Sequence, residues 1–127
     1  VQHRLAGNAE VIEQLISRVF YARNLAHYEH WRTKSYAQHK ALGKFYEDVV
    51  EALDALVEAH QGLNGLIGSI PAPADTKSDC LKTLKADAEW IEANHEDICG
   101  GNRAVANLID NVTGLYLSTI YKLENLK

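Results

Sequence analysis

An all-α four-helix bundle is the fold class this sequence predicts, and two observations predict its helical core. Apolar residues recur at three- and four-residue steps through four separate segments, the stripe of a core-facing helix. The only prolines are Pro71 and Pro73, so the tracts on either side are free of helix breakers and rich in Ala, Leu, Glu and Lys. A third observation points to one long connection between the second and third helices. Leu63 to Lys77 holds glycines and a Pro-Ala-Pro run, and extended it reaches about 50 Å. The second helix is only about 38 Å long, so the connection can return along the whole bundle, which a plain up-down hairpin does not need. At 127 residues the chain fits one domain, 1–127, with a core large enough to stand without staples.

The first helix begins by Ala9 and runs to about Trp31, with Val11, Ile12, Leu15, Ile16, Val19, Phe20 and Leu25 inward. Residues 1–8 either extend it or form a loose arm, since Gly7 and Asn8 weaken helix. Arg32 to Lys34 form a short turn. Ser35 followed by Gln38 fits a capping box, with the hydroxyl taking an orphan N–H and the glutamine reaching back. The second helix runs from Tyr36 to about His60, with Leu42, Phe45, Tyr46, Val49, Val50, Leu53, Leu56 and Val57 as its apolar face and Gly62 as its stop. Ser78 or Asp79 caps a third helix that ends near Ile98, with Leu81, Leu84, Ala88 and Ile91 inward and His95 as a further candidate for that face. Gly100-Gly101 ends it. Asn102 caps the fourth helix, Arg103 to about Leu126, whose core side includes Val105, Ile109, Val112, Tyr116 and Leu117.

Composition excludes several functions. Net charge is −4 and no Lys/Arg-rich tail is present, so DNA binding is not expected. Cys80 and Cys99 lie on one predicted helix, roughly 28 Å apart along it. A disulfide needs Cα atoms within about 7 Å, so two free thiols and a reducing, cytoplasmic setting are expected. The sequence shows no signal peptide and no apolar run near 18 residues, so a membrane span is not expected either. There is no P-loop, GxGxxG, GxSxG elbow or zinc-type Cys/His cluster.

What remains is the stretch from His27 to Glu58. It holds His27, His30 and His39, with Trp31 beside His30, and then Asp54-x-x-x-Glu58. His39 and Asp54 are fifteen residues apart, so they differ by about 60° around the helix and share one broad face. They also lie about 22 Å apart along the axis, too far to hold one ion. A histidine half-site and a carboxylate half-site on one helix suit antiparallel two-fold pairing, in which each end meets the other end of a second copy. A bland reading competes. Carboxylates at i,i+4 are common on solvated helix faces, and lone histidines such as His3 and His60 are more often merely polar.

The run His30-Trp31, then His39, then Asp54-x-x-x-Glu58, with Phe45-Tyr46 between, resembles the Dps mini-ferritin family of the ferritin-like superfamily. The likeness covers residues 20–62, and the remainder by helix count. It implies an iron-binding protein that oxidises Fe(II) with peroxide or O₂ at centres shared between two-fold-related subunits. It also implies storage of the ferric product in a shell of twelve, a role in oxidative stress, and a dimer at minimum. The metal ligands it implies are His30, His39, Asp54 and Glu58. Counting back from His39 at the family's spacing points instead to His27, because the segment between His30 and His39 is shorter here than in the family. Trp31 and Tyr36 stand near the implied site. The pattern also resembles small phage-type relatives without an assigned role. The rival reading is a helical assembly protein with a degenerate site. Glu92-x-x-His95 on the third helix has the inward spacing of carboxylate diiron bundles but lacks its matching motif, and a helix-end histidine facing the C-terminal dipole explains it better.

Overall fold

A computed structural model describes residues 10–74, 76 and 78–127. His3 and the choice between arm and helix for residues 1–8 lie outside the described residues. Four helices make up the fold: α1 Val11–Arg32, α2 Tyr36–Asn64, α3 Cys80–Cys99 and α4 Arg103–Asn125. No strand occurs among the described residues. The helices stand at the corners of a square. α1 packs on α2 and α3, α4 packs on the same two, and the diagonal pairs hardly touch.

Side-chain pairs fix the directions. Gln38 at the start of α2 donates to the Leu123 carbonyl at the end of α4, and Phe45 meets Tyr116 edge-on at 5.1 Å. Lys85 pairs with Glu124 and His95 with Asp110, so α3 and α4 are antiparallel. Cys80, at the start of α3, feels the charge of Glu29 near the end of α1. α3 therefore starts at the end where α2 started, and the two run parallel. The connection between them does travel back along the bundle. Gly68 donates its N–H to the buried Glu13 at 2.7 Å, and Pro71 to Ala74 lie against the middle of α1.

The boundaries show which local signals held. Ser35 accepts from the Gln38 N–H at 3.2 Å, as a cap should. The reciprocal half of the capping box is absent: the Ser35 N–H goes to the Thr33 hydroxyl, and Gln38 turns to Thr33 and Leu123. Gly62 does not stop α2. The helix continues to Asn64, and Gly65, at φ +86°, ends it in a conformation that favours glycine. Of the two caps offered for α3, Asp79 is the one used, and Gly100 ends the helix in the left-handed region. Asn102 caps α4 through the Val105 N–H.

The core is the expected one in the main, with Leu15, Val19, Leu42, Phe45, Val49, Leu56, Ile109 and Val112 almost fully buried. Two expected core residues are exposed. Phe20 and Leu117 fall at the outer edge of their stripes and face away from the square. The core also holds polar groups that periodicity alone hides. Asp87 is buried, receives Arg18 Nη1 at 3.0 Å and the Tyr116 hydroxyl at 2.8 Å, and ties three helices together.

Candidate metal centre

The histidine end is built by the short turn. Thr33, Lys34 and Ser35 are all that separate α1 from α2, so the last turn of one helix lies against the first turns of the other. His30 and His39 are then bonded reciprocally. His30 Nδ1 lies 2.7 Å from the His39 carbonyl, and His39 Nδ1 lies 2.8 Å from the His30 carbonyl. A carbonyl oxygen only accepts, so each Nδ1 carries the proton. In the neutral ring this leaves Nε2 as a free lone pair, the arrangement that orients histidine ligands in metal sites.

The two rings stack with centroids 3.7 Å apart and planes 17° from parallel. Lone pairs lie in the ring planes, and nearly parallel planes do not converge on one point. The pair therefore suits two adjacent ions, one per ring, rather than a shared ion. Gly43, one turn beyond His39, allows this packing. A Cβ there would sit 3.2 Å from His30 Cε1. A glycine inside a helix four residues after a candidate ligand is the sequence signal for that close approach.

His27 and His30 are thereby distinguished. His30 pairs with His39, whereas His27 stacks on Tyr46 at 4.0 Å and touches Trp31 at 4.3 Å. Tyr46 also meets His30 edge-on at 5.2 Å. The tyrosine thus bridges the two histidines, a role that its place in the apolar stripe does not reveal. Trp31 and Tyr36 are 67% and 75% exposed, so both stand at the rim with most of their surface in solvent. An open trough of about 830 Å³ runs past His30 and His39 towards Lys122.

The structure does not bring Asp54 and Glu58 to this end. Both are exposed, and α2 is continuous between His39 and Asp54. Among the described residues no group of three or more His, Cys, Asp or Glu side chains is placed to hold a metal ion. One chain carries a two-histidine half and a two-carboxylate half, apart.

Elsewhere, His95 donates its Nε2–H to Asp110 Oδ1, 2.9 Å away, so its partner is the facing helix rather than the α3 dipole. Glu92 is exposed and does not join it. His60 is half-buried, against the expectation of a solvated side chain. Both cysteines are free.

Charge is divided along the bundle axis. In the half containing the α1–α2 turn (residues 29–48, 78–85 and 116–127), eight Lys and Arg stand against five Asp and Glu. In the opposite half (residues 10–20, 51–64, 89–99 and 102–112), two stand against ten. His30 and His39 sit in the basic half and Asp54 and Glu58 in the acidic one.

Comparison with known proteins adds family but no activity. Residues 30–123 match the family of unknown function DUF5856. The chain is also 23% identical over 121 residues to an uncharacterized 14.6 kDa protein from the mobD–ri intergenic region of Enterobacteria phage T4, covering 94% of this chain and 92% of that one. No solved structure matches significantly. Among the described residues no helix is long and apolar enough to cross a membrane.

Proposed function

We propose that this chain, which belongs to the family of unknown function DUF5856, is a ferritin-like iron protein that binds and oxidises Fe(II) at centres shared by two antiparallel copies. The observation that carries this reading is the reciprocal His30–His39 pair. Both Nδ1 atoms are engaged with backbone, which leaves two Nε2 donors beside an open trough. Imidazole and carboxylate together suit Fe(II) with open positions for an oxidant. His30 and His39 of one copy would supply the nitrogens, and Asp54 and Glu58 of the other the oxygens. The carboxylates also favour the ferric product by charge.

Two further features support the pairing. Antiparallel copies lay the basic half of each against the acidic half of the other, which brings opposite charges together on both sides of the two-fold. The helix order, with one long connection returning along the bundle, is that of ferritin-like folds. In the reaction each Fe(II) gives up one electron. One peroxide accepts two electrons and two protons and leaves as two waters. A closed shell of copies would retain the ferric product as a mineral.

A second reading draws on the same hydrogen bonds. Two histidines that satisfy each other's carbonyls also clamp the α1–α2 turn, and a clamp of this kind serves an assembly protein without chemistry. Anaerobic Fe(II) titration followed by oxidant separates the two. The iron reading expects saturable Fe(II) binding and rapid oxidation in the parent chain, both strongly reduced by Asp54→Ala with Glu58→Ala. No saturable Fe(II) binding in the parent chain would leave only the clamp, and binding and oxidation unchanged in the double variant would remove Asp54 and Glu58 from the centre.

A further inference from the structure

The outward face of α4 is nearly free of charge. Among the exposed side chains of α2 from Lys40 to Glu58, only Ala55 is uncharged. From Asn107 to Tyr121 of α4 the balance reverses. Asn107, Asn111, Gly114, Leu117, Ser118 and Tyr121 are all exposed, and Asp110 is the only charge among them. Asp110 is itself held by His95 at 2.9 Å. Solvated helix faces are ordinarily charged, and depletion of charge with retention of aromatics marks the middle of an interface. Leu117 and Tyr121 leave 54% and 57% of their surface in solvent.

Gly114 adds a second, independent observation. Glycine inside a helix is less stable than alanine, and no packing within its own chain requires it, since a Cβ there would meet nothing within 4 Å. A residue without a side chain in the middle of an exposed face lets another backbone approach closely. Asn107, Gly114 and Tyr121 follow at seven-residue steps, so they lie almost in line along the helix.

The occupant that fits is a second copy. When two α4 helices cross antiparallel at Gly114, residues equally far before and after it stand level. Arg103 then comes level with the partner's Asn125, beside the partner's Glu124. The Arg103 side chain has no ion pair among the described residues. Glu124 uses Oε2 for Lys85 of its own chain, which leaves Oε1 open. The two-fold repeats this opposite-charge contact at both ends. From Arg103 to Glu124 the contact is about 32 Å long and about 10 Å wide. That is well short of the roughly 800 Å² per partner of a standard interface, so the association is weak.

We propose that the outward face of α4 is a two-fold interface with a second copy of this chain, closest at Gly114. It uses a different helix from the α2 pairing and does not rest on the iron reading. Two isologous interfaces on one chain join dimers into larger assemblies.

The test follows the full chain, kept metal-free with a chelator, by sedimentation equilibrium up to about 1 mM. A dimer with a Kd of about 0.1 mM is expected. Gly114→Lys sets two like charges against each other on the axis while replacing glycine by a better helix former. It is expected to weaken the dimer by about tenfold or more with no loss of melting temperature. Gly114→Cys reports the place of contact separately. Its disulfide-linked dimer is expected to form about tenfold faster under mild oxidation than that of Leu66→Cys, a position 85% exposed on the α2–α3 connection. Monomer throughout the concentration range overturns the proposal. So does a dimer unchanged in Gly114→Lys, which would place the contact on another face such as α2. Cross-linking of Gly114→Cys no faster than the Leu66→Cys control overturns it as well.

Discussion

At Gly43 an added Cβ would lie 3.2 Å from His30 Cε1 and 3.3 Å from its Nδ1, tighter than ordinary contact. Gly43→Ala sets two effects against each other. Alanine gains about 1 kcal/mol of helix propensity, while the His30 ring must shift from its stack on His39. The fold should therefore lose little, whereas iron affinity should fall about tenfold, the scale of disturbing a ligand's support. Thermal melting and Fe(II) titration of the same variant check both halves. Two other single residues control the alkaline limit. Burial pushes the Cys80 thiol from 9.0 up to about 12, with Glu29 and Asp79 adding to it. Burial, then the charge of Asp87 and the hydrogen bond to it, holds the Tyr116 phenol well above its ordinary 10.0. Both groups are raised on folding, so their contribution is complete below those ordinary values and is lost as pH rises through and beyond them. The unfolding free energy from urea titrations should be level to about pH 9 and then fall, by up to about 1.4 kcal/mol per pH unit for each group. Cys80→Ala should move the onset towards pH 10.

The connection between α2 and α3 is the element that sets the topology, and one buried carboxylate holds it. Glu13 is fully buried and accepts the Gly68 N–H at 2.7 Å. Glu13→Ala leaves that N–H and its surroundings without their acceptor, at a cost of about 1–3 kcal/mol. Urea unfolding should show this loss, and amide exchange at Gly68 should speed up. The element scale is also where the sequence was most legible. Leu42, Phe45, Val49, Leu53 and Leu56 announce their helix by spacing alone, and the reach of Leu63 to Lys77 correctly allowed a return path. Stops were less legible. Gly62 and Gly65 are three residues apart, and only the left-handed φ at Gly65 distinguishes the true end. Glu13 and Asp87 were missed because an acidic residue inside an apolar stripe reads as an interruption. Its burial depends on Gly68, Arg18 and Tyr116, which come from other elements.

At the scale of the whole molecule, the centre we propose would be a relation between copies. Helix arithmetic from the sequence separated His39 from Asp54, and the unbroken α2 maintains that separation. The reciprocal His30–His39 bonding was not legible, because it depends on how Thr33 to Ser35 bring two helix ends together. Nor was the division of charge, which appears only once the topology places residues 29–48, 78–85 and 116–127 at one end. If opposite halves of two copies meet, association should weaken as salt rises, and the site should be restorable in trans. A copy with His30→Ala and His39→Ala keeps its carboxylates. A copy with Asp54→Ala and Glu58→Ala keeps its histidines. Each alone should oxidise Fe(II) only at background. In a mixed two-fold dimer one centre loses both halves and the other regains both, so each mixed dimer holds one complete centre. After the two variants are unfolded together and refolded, random pairing makes about half of the dimers mixed, so oxidation should return to roughly a quarter of the parent rate. A refolded mixture no more active than its separate components would exclude a centre shared in this way, whatever the oligomer size.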